Sequence, residues 1–230
     1  LHTLPSTVVL AVLSIVIALL IGIVLGVFSA LYANSFFDRS IALVSTLGMS
    51  VPSFFSAILF AWIFGYVFHD YTQLNMTGSL YEVDDFGEGI QKKKKNAVLP
   101  AFVLGIRPLG VVIQLMRNSL LEVLNQEYIR TAKAKGLSTY KIITKHALKN
   151  AMNPVVTAVS GWFASMLAGA VFVEYIFGWN GLGKEIVDAL NNLDLPVIMG
   201  AVIVIATTFV IITILVDLIY AYLDPRIKLK

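Results

Sequence analysis

Apolar residues in this chain come in long unbroken blocks rather than in alternation or in one narrow helical stripe. Five blocks stand out, running from about Val8 to Leu31, Ile41 to Phe68, Val98 to Met116, Val155 to Phe177 and Val197 to Leu223. Each reaches across roughly 30 Å of hydrocarbon at about 1.5 Å per residue. Inside lipid every backbone N–H and C=O needs a partner within its own segment, so the blocks predict helices. Strands of a membrane barrel are shorter and alternate polar with apolar, which none of these does. The pattern predicts an all-α integral membrane protein with about five transmembrane helices, built as one domain over residues 1–230.

Composition points the same way. The chain is 58% hydrophobic and only 13% charged, with a mean hydropathy of +0.83. That leaves too few polar residues to cover a soluble surface. With no cysteine, disulfides, thiol catalysis and thiolate metal sites are excluded. His2, His69 and His146 lie far apart, so no metal site is expected. Basic residues flank the blocks instead of sharing a face with aromatics, which argues against a nucleic-acid partner. The chain starts at Leu1 and enters its first block with no basic residue before it, unlike a secretory signal. A missing natural N-terminal segment is expected.

Charge then orients the blocks. Placing the Asn118–Pro154 loop in the cytoplasm puts eleven Lys and Arg residues on that side, including the tail after Asp224, against five on the other. This follows the positive-inside rule and makes the C-terminus cytoplasmic. The run Lys92–Lys95, on the outer side in the Asp70–Asn96 loop, goes against the rule; the acidic stretch Glu82, Asp84, Asp85 and Glu88 lies close by in sequence.

The Asn118–Pro154 loop is longer than a connection requires, and it reads as helical. Leu120 to Lys135 has neither Gly nor Pro and is rich in helix formers. Gly136 interrupts it, and Ser138 is a suitable N-cap for a second helix over Tyr140–Met152. There Tyr140, Ile143, Ala147 and Ala151 share one face, and Lys141, Lys145 and Lys149 another. A lipid-surface helix and a docking element for a cytosolic partner both fit this pattern.

Elsewhere, Arg107 sits mid-block and is followed by Pro108. A charge at that depth faces a cavity or a partner; a structural pairing with Glu174 or Asp217 is the other reading, although both lie nearer the block ends. Ser50-Val-Pro52-Ser53 predicts a kink. Gly22 and Gly26 form a small-xxx-small pattern suited to helix packing. Gly178-Trp-Asn-Gly-Leu-Gly183-Lys184-Glu185 nearly spells a phosphate-binding loop, but it lacks the final Ser or Thr and follows an apolar block instead of a strand, so ATP binding is not expected there.

Glu127-Tyr-Ile-Arg-Thr-Ala-Lys-Ala-Lys-Gly136-Leu-Ser, then Lys145-His-Ala-Leu-Lys-Asn-Ala151 and Pro154, resembles the EAA loop of bacterial ABC-importer permeases, nearest their dipeptide/oligopeptide/nickel branch. Arg130, Thr131 and Ala132 stand where the general pattern has Glu-Ala-Ala, and Leu148-Lys149 stands where it has Leu-Pro. Phe177–Gly183 and Val216–Arg226, the latter ending Leu-Asp-Pro-Arg, resemble the family's outer segment and its C-terminal signature.

The resemblance implies type I importer architecture in the bacterial inner membrane, with residues 118–154 as a coupling loop. Its coupling surface would involve Glu127, Arg130, Thr131, Ala132, Ala134, Gly136, Leu137, Ser138 and His146. Arg107, Pro108 and Pro52 are candidates for the pathway or a subunit interface. Implied partners are a second homologous permease, cytosolic ATPase subunits carrying ATP and magnesium, and an extracytoplasmic binding protein. This chain would bind no cofactor and catalyse no reaction. Peptides and nickel both fit as cargo. A self-contained secondary transporter, which would need inverted repeats, and a membrane-anchored scaffold are the alternatives.

Overall fold

The computed structural model describes residues 2–83 and 90–223, without the side chains of 81–83, 90–92, 160, 163–165, 167–169, 216, 217 and 219–223. The acidic stretch at 82–88, the Asp217 side chain and the Asp-Pro-Arg end of the C-terminal signature therefore lie outside the described residues.

The chain is almost wholly helical. In order come α1 (Leu4–Leu31), α2 (Phe36–Ser50) and α3 (Ser53–Trp62), which widens into a π turn (Ile63–Val67), then a short α4 (His69–Thr72). The short strands β1 (Tyr81–Val83) and β2 (Ile90–Lys92) pair antiparallel, with Tyr81 opposite Lys92. This small hairpin lies in a stretch that the sequence presents as a polar loop. A 3₁₀ turn (Lys94–Ala97) leads into α5 (Val98–Leu124). There follow α6 (Glu127–Ala134), α7 (Thr139–Lys141), a π turn (Ile142–Ala147), α8 (Leu148–Ala151), α9 (Asn153–Gly169), α10 (Val171–Phe177), α11 (Leu182–Asn191) and α12 (Leu195–Leu223).

The five apolar blocks are not five continuous helices. Among the described residues three continuous helices are long and apolar enough to cross a membrane, Leu4–Leu31, Lys94–Leu124 and Leu195–Leu215. The second block splits at Pro52 into α2 and α3, which together qualify as a fourth but are bent by 110°. Pro52 caps α3 with φ −59° and ψ 139°, an extended conformation that ends one helix and starts the next. The fourth block is divided between α9, of 17 residues, and α10, of 7. The interruption is local: Ala170 stays helical, its N–H donates to Met166 O at 2.9 Å, and its carbonyl accepts from Glu174 N at 2.8 Å. The third block runs on through Leu120 to Leu124, so those residues end a span instead of opening the loop.

Two compact units divide the chain. One comprises Leu1–Val16, Val51–Gly105 and Gly161–Lys230. Within it α1 and α5 approach closely, since a Cβ on Gly105 would lie 2.8 Å from the Ser14 carbonyl oxygen. The other comprises Ile17–Ser50 and Ile106–Ser160. Its core is built from Ala30, Val112, Met116, Leu120, Ile129, Ala132, Ile142, Ala147, Ala151 and Val155. Gly22 and Gly26 do pack helices here: a Cβ on Gly22 would meet Val112 Cγ1 at 2.6 Å, and one on Gly26 would meet Met116 Cβ at 2.7 Å. In contrast, α12 is apolar around its circumference and largely exposed within the chain, as suits a helix bathed in lipid or covered by another subunit.

Candidate coupling segment and the charged groups of the spans

The segment after α5 is a small folded element anchored on its own core. Asn125 and Gln126 end α5, and Gln126 in extended conformation opens α6. Glu127 lies in the first turn and Lys133 in the last, both favourable to the helix dipole. Ile129 is fully buried and Ala132 nearly so. Glu127, Arg130, Thr131, Lys133 and Ala134 stand on the exposed side. Arg130 Nη1 donates to Glu127 Oε1 at 2.7 Å, a surface pair worth under about 1 kcal/mol. Of the two small residues, only Ala132 is used for packing within the chain; Ala134 faces outward.

Gly136 ends α6 with φ +77°. Gly136 N donates to Lys133 O at 2.9 Å and Leu137 N to Ala132 O at 3.3 Å. This is the paired bonding of a Schellman cap, which favours glycine at the left-handed position. Leu137 then packs against the core. The Ser138 cap is present, with its Oγ accepting from Lys141 N at 3.5 Å. The π turn at Ile142–Ala147 changes the helical register, so Ile142 joins Ile143, Ala147 and Ala151 in the interior. Tyr140, assigned by simple periodicity to the inward face, is instead 76% exposed. Lys141, Lys145, His146 and Lys149 are exposed as well. Asn150 Nδ2 donates to the Tyr128 hydroxyl at 2.8 Å, tying α8 to α6. The outcome is a mostly basic surface over an apolar interior, with Tyr128, Ala134 and Tyr140 also on its outer side.

Three charged groups in the spans are treated differently. Asp38, which the sequence presents as an ordinary loop residue, is buried at the start of α2. It accepts from Arg117 Nε at 2.6 Å and Nη2 at 2.7 Å, from Asn34 N at 2.8 Å and from the Ser29 hydroxyl. The bidentate fork leaves neither partner with an unpaired charge. Sequence reasoning missed this pair.

Glu174, read from sequence as lying near a solvated block end, is instead fully buried. Gly183 N donates to its Oε2 at 2.7 Å. Leu182 N, the neighbouring donor at the start of α11, goes to Thr7 Oγ1 at 2.9 Å. A Cβ on Gly181 would collide with the Glu174 carboxylate. The near-phosphate-loop sequence thus places the chain's own carboxylate at a helix N-terminus, with the Gly183 N–H as its donor and Gly181 leaving room for it. Trp179, also fully buried, fixes the loop by donating Nε1–H to Ser6 O at 3.1 Å.

Arg107 has no such partner. It is exposed, next to the buried Pro108, and no carboxylate pairs with it among the described residues. Of the two acids that the alternative reading offered for a structural pairing, Glu174 is held by its own loop, and the Asp217 side chain lies outside the described residues. Pro108 lies inside α5 and lacks the N–H that would bond Leu104 O. Pro52 is exposed at the α2–α3 bend.

Comparison with known proteins bears on this architecture. The model of the family described as "binding-protein-dependent transport system inner membrane component" matches residues 22–229. A putative peptide permease of Brucella suis is 40% identical over 205 residues, covering 88% of this chain and 62% of the relative. The dipeptide transport system permease protein DppB of Bacillus subtilis is 40% identical over 225 residues, covering 98% and 68%. This chain thus spans 62% of the length of the Brucella relative. Among solved structures, an inward-facing MetNI methionine ABC transporter chain superposes with TM-score 0.74 at 15% identity, covering 95% of this chain and 93% of that one; at that identity the likeness speaks for the fold. With the family model spanning most of the chain and the helical architecture in agreement, this chain belongs to the binding-protein-dependent transport system inner membrane components.

Proposed function

We propose that this chain is a membrane-spanning permease subunit of an ATP-driven importer, forming part of the path for peptides delivered by an extracytoplasmic binding protein. The names of the peptide-permease relatives support the cargo. The observation that carries the mechanism is the folded element at 127–151, whose apolar residues anchor it on the base of α5 while its basic side chains stay exposed. Such a surface suits acidic groups on a cytosolic ATPase. Because the element shares one core with α1 and α5, force applied to it passes into the spans as movement of a packed body. In this reading Glu127, Arg130, Thr131, Tyr140 and His146 face the ATPase, and Gly136, Leu137 and Ser138 hold the turn between the two helical pieces. The element and the C-terminus lie in the cytoplasm. A second, homologous permease completes the path, and ATP and magnesium bind on the ATPase subunits.

The test is co-purification of the full-length protein with the products of neighbouring genes. Gly136→Pro removes both the left-handed φ and the N–H bonded to Lys133, so the ATPase should be lost. Arg130→Glu and Tyr140→Asp touch only the surface; they should weaken association while the permease stays folded. Retention of the ATPase by all three would remove the coupling assignment.

A further inference from the structure

Three polar residues, interrupted by Val111, share one side of α5. At about 100° per residue, Arg107, Val111, Gln114 and Asn118 fall within a sector of roughly 60°. The opposite side carries Val112, Met116 and Leu120, all buried. Arg107 and Asn118 are exposed and Gln114 is half-buried. Gln114 Nε2 reaches the Thr46 hydroxyl of α2 at 3.4 Å. These three residues span about 16 Å of helix, and Arg107 lies near the midpoint of the Lys94–Leu124 span. Lipid does not solvate a guanidinium at that depth, so this side faces water or another polar surface.

We infer that Arg107 is a binding point for the terminal carboxylate of a peptide in transit, with Gln114, Asn118 and Thr46 offering neutral hydrogen bonds further along the path. The inference rests on the importer reading above and extends it to the cargo's chemistry. A guanidinium fork matches a carboxylate, and Arg117 shows that geometry in this chain by gripping Asp38. Where an arginine serves structure here, its acid is supplied internally; Arg107 is left open. A permanent ion pair with a second subunit would need one acid at one depth and would leave Gln114 and Asn118 on the same side without a role. A bare arginine would repel a divalent metal cargo.

The chain has no cysteine, so Arg107→Cys gives a clean handle in the complete importer, reconstituted in liposomes with cysteine-free partners. Peptide uptake should fall at least about tenfold, as loss of a charge-assisted bond predicts. A water-soluble ethylammonium thiosulfonate should label the introduced thiol and restore most of the uptake. Neutral and anionic thiosulfonates should label without restoring it, and the ratio of free-acid dialanine uptake to uptake of its amide should be higher in the unaltered complex than in the variant. Lack of labelling, equal rescue by the neutral reagent, unchanged uptake, or loss of the second permease from the variant complex would each overturn the inference. That last outcome would assign Arg107 to a subunit ion pair. If the unaltered complex takes up no peptide, the cargo reading itself fails and this inference falls with it; uptake by the unaltered complex isolates any failure to Arg107.

Discussion

Arg107 and Arg117 lie ten residues apart on one helix, and the protein treats them in opposite ways. Arg117 is 25% exposed and forks onto a buried aspartate that also takes an Asn34 N–H and the Ser29 hydroxyl. Arg107 stands exposed without an acid. The difference separates a charge used to join helices from a charge held ready for something outside the chain. Glu174 is a third case: its carboxylate is enclosed by the α10–α11 turn, where Gly183 N donates to Oε2 while the buried Oε1 has no hydrogen-bond partner among the described residues. In an apolar surrounding a charge left open is costly, so the open one is the one to question first.

The contrast can be broken from the structural side. Arg117→Ala leaves Asp38 buried with a charge and only neutral donors, and should lower unfolding stability in micelles by about 3 kcal/mol. In the double variant with Asp38→Ala the losses should be strongly non-additive. Additive losses would mean that the pair is not coupled. Next in size, Glu174→Ala removes the acceptor for Gly183 N–H, for an expected cost of about 2 kcal/mol. Gly181→Ala should also destabilise, because its methyl meets the carboxylate. Gly136→Ala should cost about 1 kcal/mol, through backbone strain at φ +77° and not through a clash, since nothing lies within 4 Å of its added Cβ; Gly136→Asn should cost less. At the bottom of the scale, Arg107→Gln should change stability by less than about 0.5 kcal/mol, while uptake suffers. A large stability loss at Arg107 would erase the distinction from Arg117.

Local chemistry was legible in the sequence; pairing across distance was not. Apolar blocks gave the helices, Pro52 the bend, Gly136 and Ser138 the turn between two helical pieces. The Asp38–Arg117 pair joins residues 79 apart, and nothing in the local pattern of either residue names the other. The α10–α11 turn carried a readable sign of an anion nest, but the anion is a carboxylate seven residues before Gly181 in the same chain. Tyr140 was misplaced because a π turn, which ordinary 3.6-residue counting does not anticipate, moves Ile142 inward. For the proposed coupling segment, the residues singled out from sequence gather on one element, divided between core (Ala132), turn (Gly136, Leu137, Ser138) and outward surface (Glu127, Arg130, Thr131, Ala134, His146).

In the proposed function this chain conducts peptides only when a separate ATPase acts on the 127–151 element. The direct measurement is uptake of a labelled dipeptide into liposomes holding the full-length permease, its paired permease and the ATPase, with binding protein outside and ATP inside. Uptake should need both ATP and binding protein and should disappear with Gly136→Pro. Uptake that persists without the ATPase, driven by an ion gradient alone, would contradict it.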